Sequence, residues 1–344
     1  MSVNSAPASP FRGRRILVTG GAGFVGGQLA HRLVALGARV TVVDDLFTGQ
    51  RDAVPASARF VHGSVTDQGL VTELVADAEL VFHMAARNII ASTKNPRDDF
   101  ETNIGGTLNV LLAARDSNVE RVVYTSSASI YGNPRSIPIN EDDRLVPLTP
   151  YAVSKLAGEH YCVAFYESYG LPAAVVRYSN VYGPYQRPEN PYCGVVSKFL
   201  IAARTGQALC IHGDGGQTRD YTFVEDAVDA TLLAATHPRA EGEVFNVGTG
   251  VETSVNDLAA AIGRASGCKI TVDHIDRRDI DNIRRRVVNI EKIRRMLRWS
   301  PQVTLDRGLA ETVRWFEETG LLHTGIPGTG TEAPTAPKAS PAAR

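Results

Sequence analysis

Cysteine is scarce and scattered in this chain. Cys162, Cys193, Cys210 and Cys268 form no C-x-x-C pair among 344 residues, which argues against a disulfide framework or a zinc ribbon and fits a reducing cytoplasm. No apolar run approaches the ~20 residues of a membrane span, and residues 1–10 carry no apolar h-region. The expectation is a soluble cytoplasmic protein with neither membrane partner nor secretion signal. Neither sign of charge is in excess: 36 Lys and Arg face 37 Asp and Glu for a net charge of −1, so no global basic field recruits nucleic acid, and any anion must be held by local groups. No bound metal is expected.

Glycine, by contrast, is concentrated where it has a use. Arg15-Ile16-Leu17-Val18 reads as a buried parallel strand, Thr19-Gly20-Gly21-Ala22-Gly23-Phe24-Val25-Gly26 as a turn, and Gln28 to Leu36 as a helix. A strand, a glycine turn and a helix in that order bring backbone N–H groups and the positive helix end to one point, where a pyrophosphate would sit. Gly20, Gly23 and Gly26 are spaced G-x-x-G-x-x-G, one residue wider at the first gap than the dinucleotide fingerprint. Further strand-like runs at 40–43, 59–61, 80–82, 121–124 and 173–177 alternate with helical patterns. The expected fold is α/β, a Rossmann-type doubly wound parallel sheet with a smaller C-terminal α/β substrate domain.

The second strand ends at Asp44, eighteen residues beyond Gly26, where a dinucleotide fold needs a carboxylate for the adenosine ribose. Such a carboxylate accepts from both hydroxyls and repels a 2′-phosphate, which selects NAD over NADP; the bland alternative is a turn aspartate. The small residues that follow the strand at Met84, Ala85 and Ala86 would let a flat cofactor lie against the strand end. His83 reads as a packed, satisfied histidine. Asn88 and Asn103 carry amides that bind cofactor or substrate, or hold the backbone; Asn103 also suits an N-cap for a helix over 104–112.

Chemistry appears at Thr125-Ser126-Ser127-Ala128-Ser129 and then at Tyr151 and Lys155. Four apart on one helix, the phenol and the amine leave the same face. A phenolate usable near pH 7 needs a shift of about three units from an ordinary pKa near 10, roughly 4 kcal/mol, and a neighbouring cation supplies part of it. Taken alone, Y-x-x-x-K is usually a surface pair. A serine-rich strand end upstream, behind a dinucleotide turn, favours the catalytic reading.

Together the glycine turn, Asp44, Ser127 and Tyr151/Lys155 resemble the extended short-chain dehydrogenase/reductases, specifically the NAD-dependent nucleotide-sugar epimerase/dehydratase family, over residues 14–320. The resemblance implies a bound NAD, with cofactor contacts from Gly20, Gly23, Phe24, Val25, Gly26, Asp44, Ser64, Val65, Met84, Ala85, Ala86, Asn103, Tyr151 and Lys155, and catalysis by Ser127, Tyr151 and Lys155. Members that dehydrate or decarboxylate their sugars carry a carboxylate near Ala128-Ser129, and this chain has none; Ser-Ser-Ala-x-x-Tyr-Gly resembles the UDP-glucose and UDP-N-acetylglucosamine 4-epimerases. Their cycle implies that Tyr151, helped by Ser127, removes the 4-OH proton as C4 is oxidised. The keto sugar then turns over and is reduced from the other face, with no net redox. Rival readings are a dehydratase or 4-ketoreductase of a deoxysugar or antibiotic pathway, and a non-catalytic dinucleotide sensor.

For the nucleotide sugar, most simply a UDP-hexose, the resemblance nominates Asn88, Ser127, Ser129, Asn180, Arg187, Val195, Arg219 and Arg278. Arg219 would grip the diphosphate or else pair with Asp220 or Asp226, and Arg187 would recognise a uronate carboxylate. Ser64 replaces a common aspartate, so its adenine contact is weak or missing. Residues 1–11 and 325–344 are expected to be disordered tails. Residues 12–179, with parts of 205–245, form the NAD-binding domain, and 180–324, mainly 180–200 and 245–320, the sugar-binding domain. The family's usual homodimer would use helices beginning near Thr102 and Tyr151.

Overall fold

The computed structural model describes residues 9–187, 190, 194–277 and 282–319. The residue Arg278, the segment 191–193 and most of both tails therefore lie outside the described residues.

The apolar runs become strands β1 (Arg15–Thr19), β2 (Arg39–Asp44), β3 (Arg59–His62), β4 (Leu80–His83), β5 (Arg121–Ser127) and β6 (Ala173–Tyr178). With Val244–Val247 they make a seven-stranded sheet in the order Val244–Val247, β6, β5, β4, β1, β2, β3. Every neighbouring pair is parallel. Leu17, Val43 and Val81 face one hydrophobic core and Val18, Val42 and Phe82 the other, which is why these strands read as continuous apolar runs without alternation. The winding reverses between β1 and β4, opening a crevice beyond their carboxyl ends.

Val244–Val247, expected to straddle the start of the smaller unit, is an edge strand of the large sheet. Its sequence hides this, because Asn246 interrupts the apolar run. The side chain is buried and satisfied: its Nδ2 donates to the Ile139 carbonyl at 2.9 Å, and its Oδ1 accepts from Tyr131 Oη at 2.7 Å. The crossover leading to this strand includes helix Val224–Thr236, whose Ala227, Val228, Ala230 and Ala234 pack into the sheet's core.

The helix expected to start at Asn103 starts earlier. Asn95 caps it, accepting from the Asp98 amide at 3.3 Å with Pro96 in the first turn, and helical structure continues through a π-turn at Phe100–Gly105 into Gly106–Arg115. The wide turn places Asn103 inside the helix rather than at its cap. Thr149 caps the helix Pro150–Tyr169, its Oγ1 accepting from the Ala152 amide at 3.2 Å, and Gly170 closes it with φ 67°. Midway along, Glu159 forms a fully buried ion pair with Arg177 of β6, which also donates to Tyr131 Oη at 2.6 Å. Removing one partner of such a pair costs about 3–5 kcal/mol, so the helix carrying Tyr151 and Lys155 is firmly seated on the sheet.

The smaller unit gathers helices Val195–Arg204, Val255–Ser266 and Leu305–Thr319 around Leu200, Leu258, Ile262, Leu309 and Phe316. Short strands Thr253–Ser254, Thr218–Arg219 and Arg285–Arg286 lie along its edge. No helix among the described residues is long and apolar enough to cross a membrane.

Candidate active site

A cleft of about 390 Å³ opens at the switch point. Helix Phe24–Ala35 points its N-terminus into it; Gly23 at the N-cap makes no side-chain bond to the first amides, and no acidic residue occupies the first turn. The turn must be bare backbone. Gly20 has φ +68°, and a Cβ there would lie 2.7 Å from the Ala85 backbone; a Cβ on Gly26 would lie 2.2 Å from the Gly20 carbonyl oxygen. Free amides and a side-chain-free approach are what a pyrophosphate requires, so these residues fit the dinucleotide. Phe24 and Val25 line the same wall.

Asp44 is buried at the end of β2 and lines the cleft. One carboxylate oxygen accepts from the Ala22 amide at 2.9 Å and the other from Leu46 at 2.8 Å, so it anchors the turn while facing the ribose end. Burial raises its pKa, opposed by those amides. Val65, Met84, Ala85 and Ala86 line the adjoining wall. Ser64 also lines it, with its hydroxyl accepting from the Thr66 amide at 3.2 Å and the Thr66 hydroxyl at 2.9 Å. His83 is buried between Thr19 (2.7 Å) and Thr107 (2.9 Å), and burial drives its pKa down to about 3; it is a neutral packing residue.

Asn103 is nominated for cofactor contact, and the structure places it off the cleft wall. Its amide oxygen accepts from the Arg87 amide at 2.6 Å, and its nitrogen donates to Asp99 at 2.7 Å and Ser154 at 3.0 Å. These bonds tie the β4 turn to the helix Pro150–Tyr169. Asn88 lines the cleft while its oxygen caps the next helix, accepting from Ile90 and Ala91 at 3.0 Å.

Ser127, Tyr151 and Lys155 converge in the cleft, drawn from the end of β5 and from one helix. The Lys155 ammonium donates to the Thr125 carbonyl at 2.8 Å and lies 6.0 Å from the centre of the Tyr151 ring. Burial lowers the Lys155 pKa to about 8, with the Asp99 carboxylate opposing. Burial pushes Tyr151 up to about 12, against a hydrogen bond from Ser127 and the Arg286 charge. A phenolate at pH 7 thus lies about five units away, roughly 7 kcal/mol. The protein groups around it hold the tyrosine as a phenol. Ser127 also accepts from the Ser129 amide at 3.1 Å, which orients its hydroxyl.

Of the positions nominated for the sugar, Asn88 and Ser127 line the cleft; the other described ones do not. The Ser129 hydroxyl is buried off the cleft wall with no partner among the described residues. Asn180 begins a strand beside Tyr221, its amide donating to the Asp220 carbonyl at 3.0 Å. Arg187 pairs with Asp52 at 2.7 Å. Val195 opens its helix. Arg219 donates to the carbonyls of Thr218 and Ile283, both at 2.8 Å; Asp220 instead holds the Thr249 and Gly250 amides, and Asp226 those of Gln302 and Val303. None of Ser129, Asn180, Arg187, Val195 and Arg219 lines the cleft.

Several wall residues escape a sequence reading: Phe47, Arg87, Ser126 and Gln186. Ser126 lines the cleft and is buried, with its hydroxyl unpartnered among the described residues. Its place in the Thr-Ser-Ser run was the available signal. Arg87 is set by partners eleven and forty-two residues away, which no local pattern carries.

Residues 16–248 match the NAD dependent epimerase/dehydratase family. A UDP-glucose 4-epimerase of Mycolicibacterium smegmatis is 40% identical over 311 residues, spanning 88% of this chain and 98% of that protein. A UDP-N-acetyl-alpha-D-glucosaminuronate decarboxylase of Bacillus cytotoxicus is 34% identical, spanning 89% and 98%. Among solved structures, the UDP-glucose 4-epimerase of Thermotoga maritima with UDP-glucose superposes with a TM-score of 0.85 at 35% identity, covering 89% of this chain and 99% of that one. The chain belongs to the NAD dependent epimerase/dehydratase family. It is an enzyme fold of nucleotide-sugar chemistry, and NAD is the cofactor its glycine turn and Asp44 suit.

Proposed function

We propose that this chain is a nucleotide-sugar 4-epimerase, with a UDP-hexose such as UDP-glucose or UDP-N-acetylglucosamine as substrate. The observation that carries the reading is the distribution of carboxylates. Among the described residues lining the cleft, the carboxylates are Asp44 and Asp45, both at the adenosine end, while the reacting end offers Ser127, Tyr151 and Lys155. The elimination and decarboxylation readings call for a carboxylate as acid or base beside C5 or C6, and the turn Ala128–Tyr131 supplies none. Epimerisation needs one proton carrier. Tyr151 takes the proton from the sugar 4-OH and returns it, Ser127 holds the same oxygen, and Lys155 keeps positive charge beside the phenolate. NAD, when bound, supplies a hydride acceptor and a second positive charge.

A uronate substrate draws less support, because the Arg187 guanidinium that would read a carboxylate is held by Asp52. The assembly we propose is a homodimer through the helices Gly106–Arg115 and Pro150–Tyr169 with their flanks. Phe100, Val153, Tyr161 and Tyr169 are exposed on these helices and their flanks, Tyr169 to 57%, apolar side chains that a second copy would cover.

Incubation of the purified chain with UDP-glucose, UDP-N-acetylglucosamine, UDP-glucuronate and dTDP-glucose, with products resolved by NMR, tests the reading. The expected product is the C4 epimer of a UDP-hexose. A 4-keto-6-deoxy sugar or loss of carbon dioxide overturns it.

A further inference from the structure

Arg87 leaves the turn after β4, and its guanidinium reaches across to the residues following β2. Its Nη2 lies 2.9 Å from Asp45 Oδ2, and its Nε donates to Asp98 Oδ2 at 2.7 Å. The guanidinium carbon sits 4.1 Å from the centre of the Phe47 ring. The Arg87 side chain is 13% exposed. Arg87, Phe47 and Asp45 line the adenosine end of the cleft beside Asp44. Burial opposes the Arg87 charge, but the bonds to Asp98 and Asp45 outweigh it and raise the pKa, so the group is a permanent cation. Its field reaches Asp44, where it is one of the influences holding that carboxyl down.

A guanidinium beside the adenosine ribose is ordinarily what a 2′-phosphate seeks, because its fork of N–H donors matches phosphate oxygens. Here two edges of the fork are occupied by carboxylates and one face by an aromatic ring. Asp44, Asp45 and Asp98 against Arg87 give three negative charges and one positive, a net −2 at the place a phosphate would enter. We infer that Arg87 is a latent phosphate-binding cation, and that Asp45, by pinning it, acts with Asp44 to determine the choice of NAD over NADP. Asp44 refuses the phosphate directly. Asp45 refuses it by withholding the cation that would otherwise compensate. The inference concerns the cofactor alone and stands whichever sugar is the substrate.

The test is calorimetric titration of NAD+ and NADP+ into the cofactor-stripped full chain, with the variants Asp44→Asn, Asp44→Asn/Asp45→Asn, and that double variant carrying Arg87→Gln. The double variant is expected to bind NADP+ at least tenfold more tightly than Asp44→Asn, with an affinity that falls as salt rises. Adding Arg87→Gln is expected to abolish the gain. A double variant that binds NADP+ no better than Asp44→Asn, or a gain that survives Arg87→Gln, overturns the inference. Should the double variant fail to fold, Asp45→Asn alone keeps the turn-anchoring carboxylate of Asp44; its ratio of NADP+ to NAD+ affinity is expected to rise at least threefold, and an unchanged ratio overturns the inference equally.

Discussion

The two ends of the cleft are built on different principles. At the cofactor end, Gly20, Gly23, Gly26, Asp44, Val65 and Ala85 all lie on the wall, at a strand's carboxyl end or in the segment that follows it. Of the residues nominated for the sugar, Asn180, Arg187, Val195 and Arg219 lie off the wall, with Arg187 paired to Asp52 and Arg219 bonded to two carbonyls. A dinucleotide is held mainly by backbone, and backbone shape follows from local sequence once strand, turn and helix are read in order. A sugar is chosen by side chains on loops whose positions depend on distant partners.

The largest expected effect lies where the two ends meet. Tyr151→Phe keeps the ring and its packing while removing the proton carrier, so turnover should fall by about 10³-fold or more, with NAD still retained. Product formation by NMR, with bound NAD assayed after acid release, checks both halves of the statement. Loss of NAD along with turnover would show that the cofactor end depends on side chains more than the comparison allows.

The second concerns the strain held at the catalytic helix. In the unfolded chain Lys155 keeps its proton to about pH 10.5, but in the fold only to about 8. Between those values the unfolded state binds more protons, so stability rises with pH, by up to roughly 3 kcal/mol. The cost of the buried ammonium is fully present below pH 8. Tyr151, pushed up to about 12, acts in the opposite sense above pH 10, where the unfolded state loses its proton first. Lys155→Met should therefore be more stable than the natural chain at pH 7 and lose that advantage towards pH 10, measured by urea unfolding across this range. A constant difference between the two proteins would show that Lys155 is no misfit.

The smallest effect separates the ends most sharply. Arg187→Ala breaks a pair with Asp52, whose side chain is 64% exposed, so the loss of stability should stay below about 1 kcal/mol. The KM for a neutral UDP-hexose should change less than threefold in initial-rate assays. A tenfold rise would bring Arg187 back to the sugar and make that end more legible than it now is.

Within the fold, the reading from residues succeeded where periodicity was uninterrupted and faltered where a polar side chain was buried for tertiary reasons. Strands β1 to β6 follow the apolar runs within a residue or a few. Asn246 breaks the apolar pattern of Val244–Val247, the edge strand of the sheet, and the bonds that satisfy it come from Ile139 and Tyr131, more than a hundred residues earlier. Asn103 looked like a helix start because local sequence favours caps, whereas its partners Arg87, Asp99 and Ser154 hold it inside a π-turn.

By itself the sequence determined the parallel sheet, the bare glycine turn, the carboxylate at the end of β2 and the spacing of Tyr151 and Lys155, because each is set by neighbours within a helical turn or a strand. Only the tertiary structure decided that Lys155 is buried with its proton held loosely, that Tyr151 rests as a phenol, that Arg187 is occupied, and that Arg87 is pinned beside Asp44. Those properties come from desolvation and from charges brought together across the chain. Neither is encoded at short range.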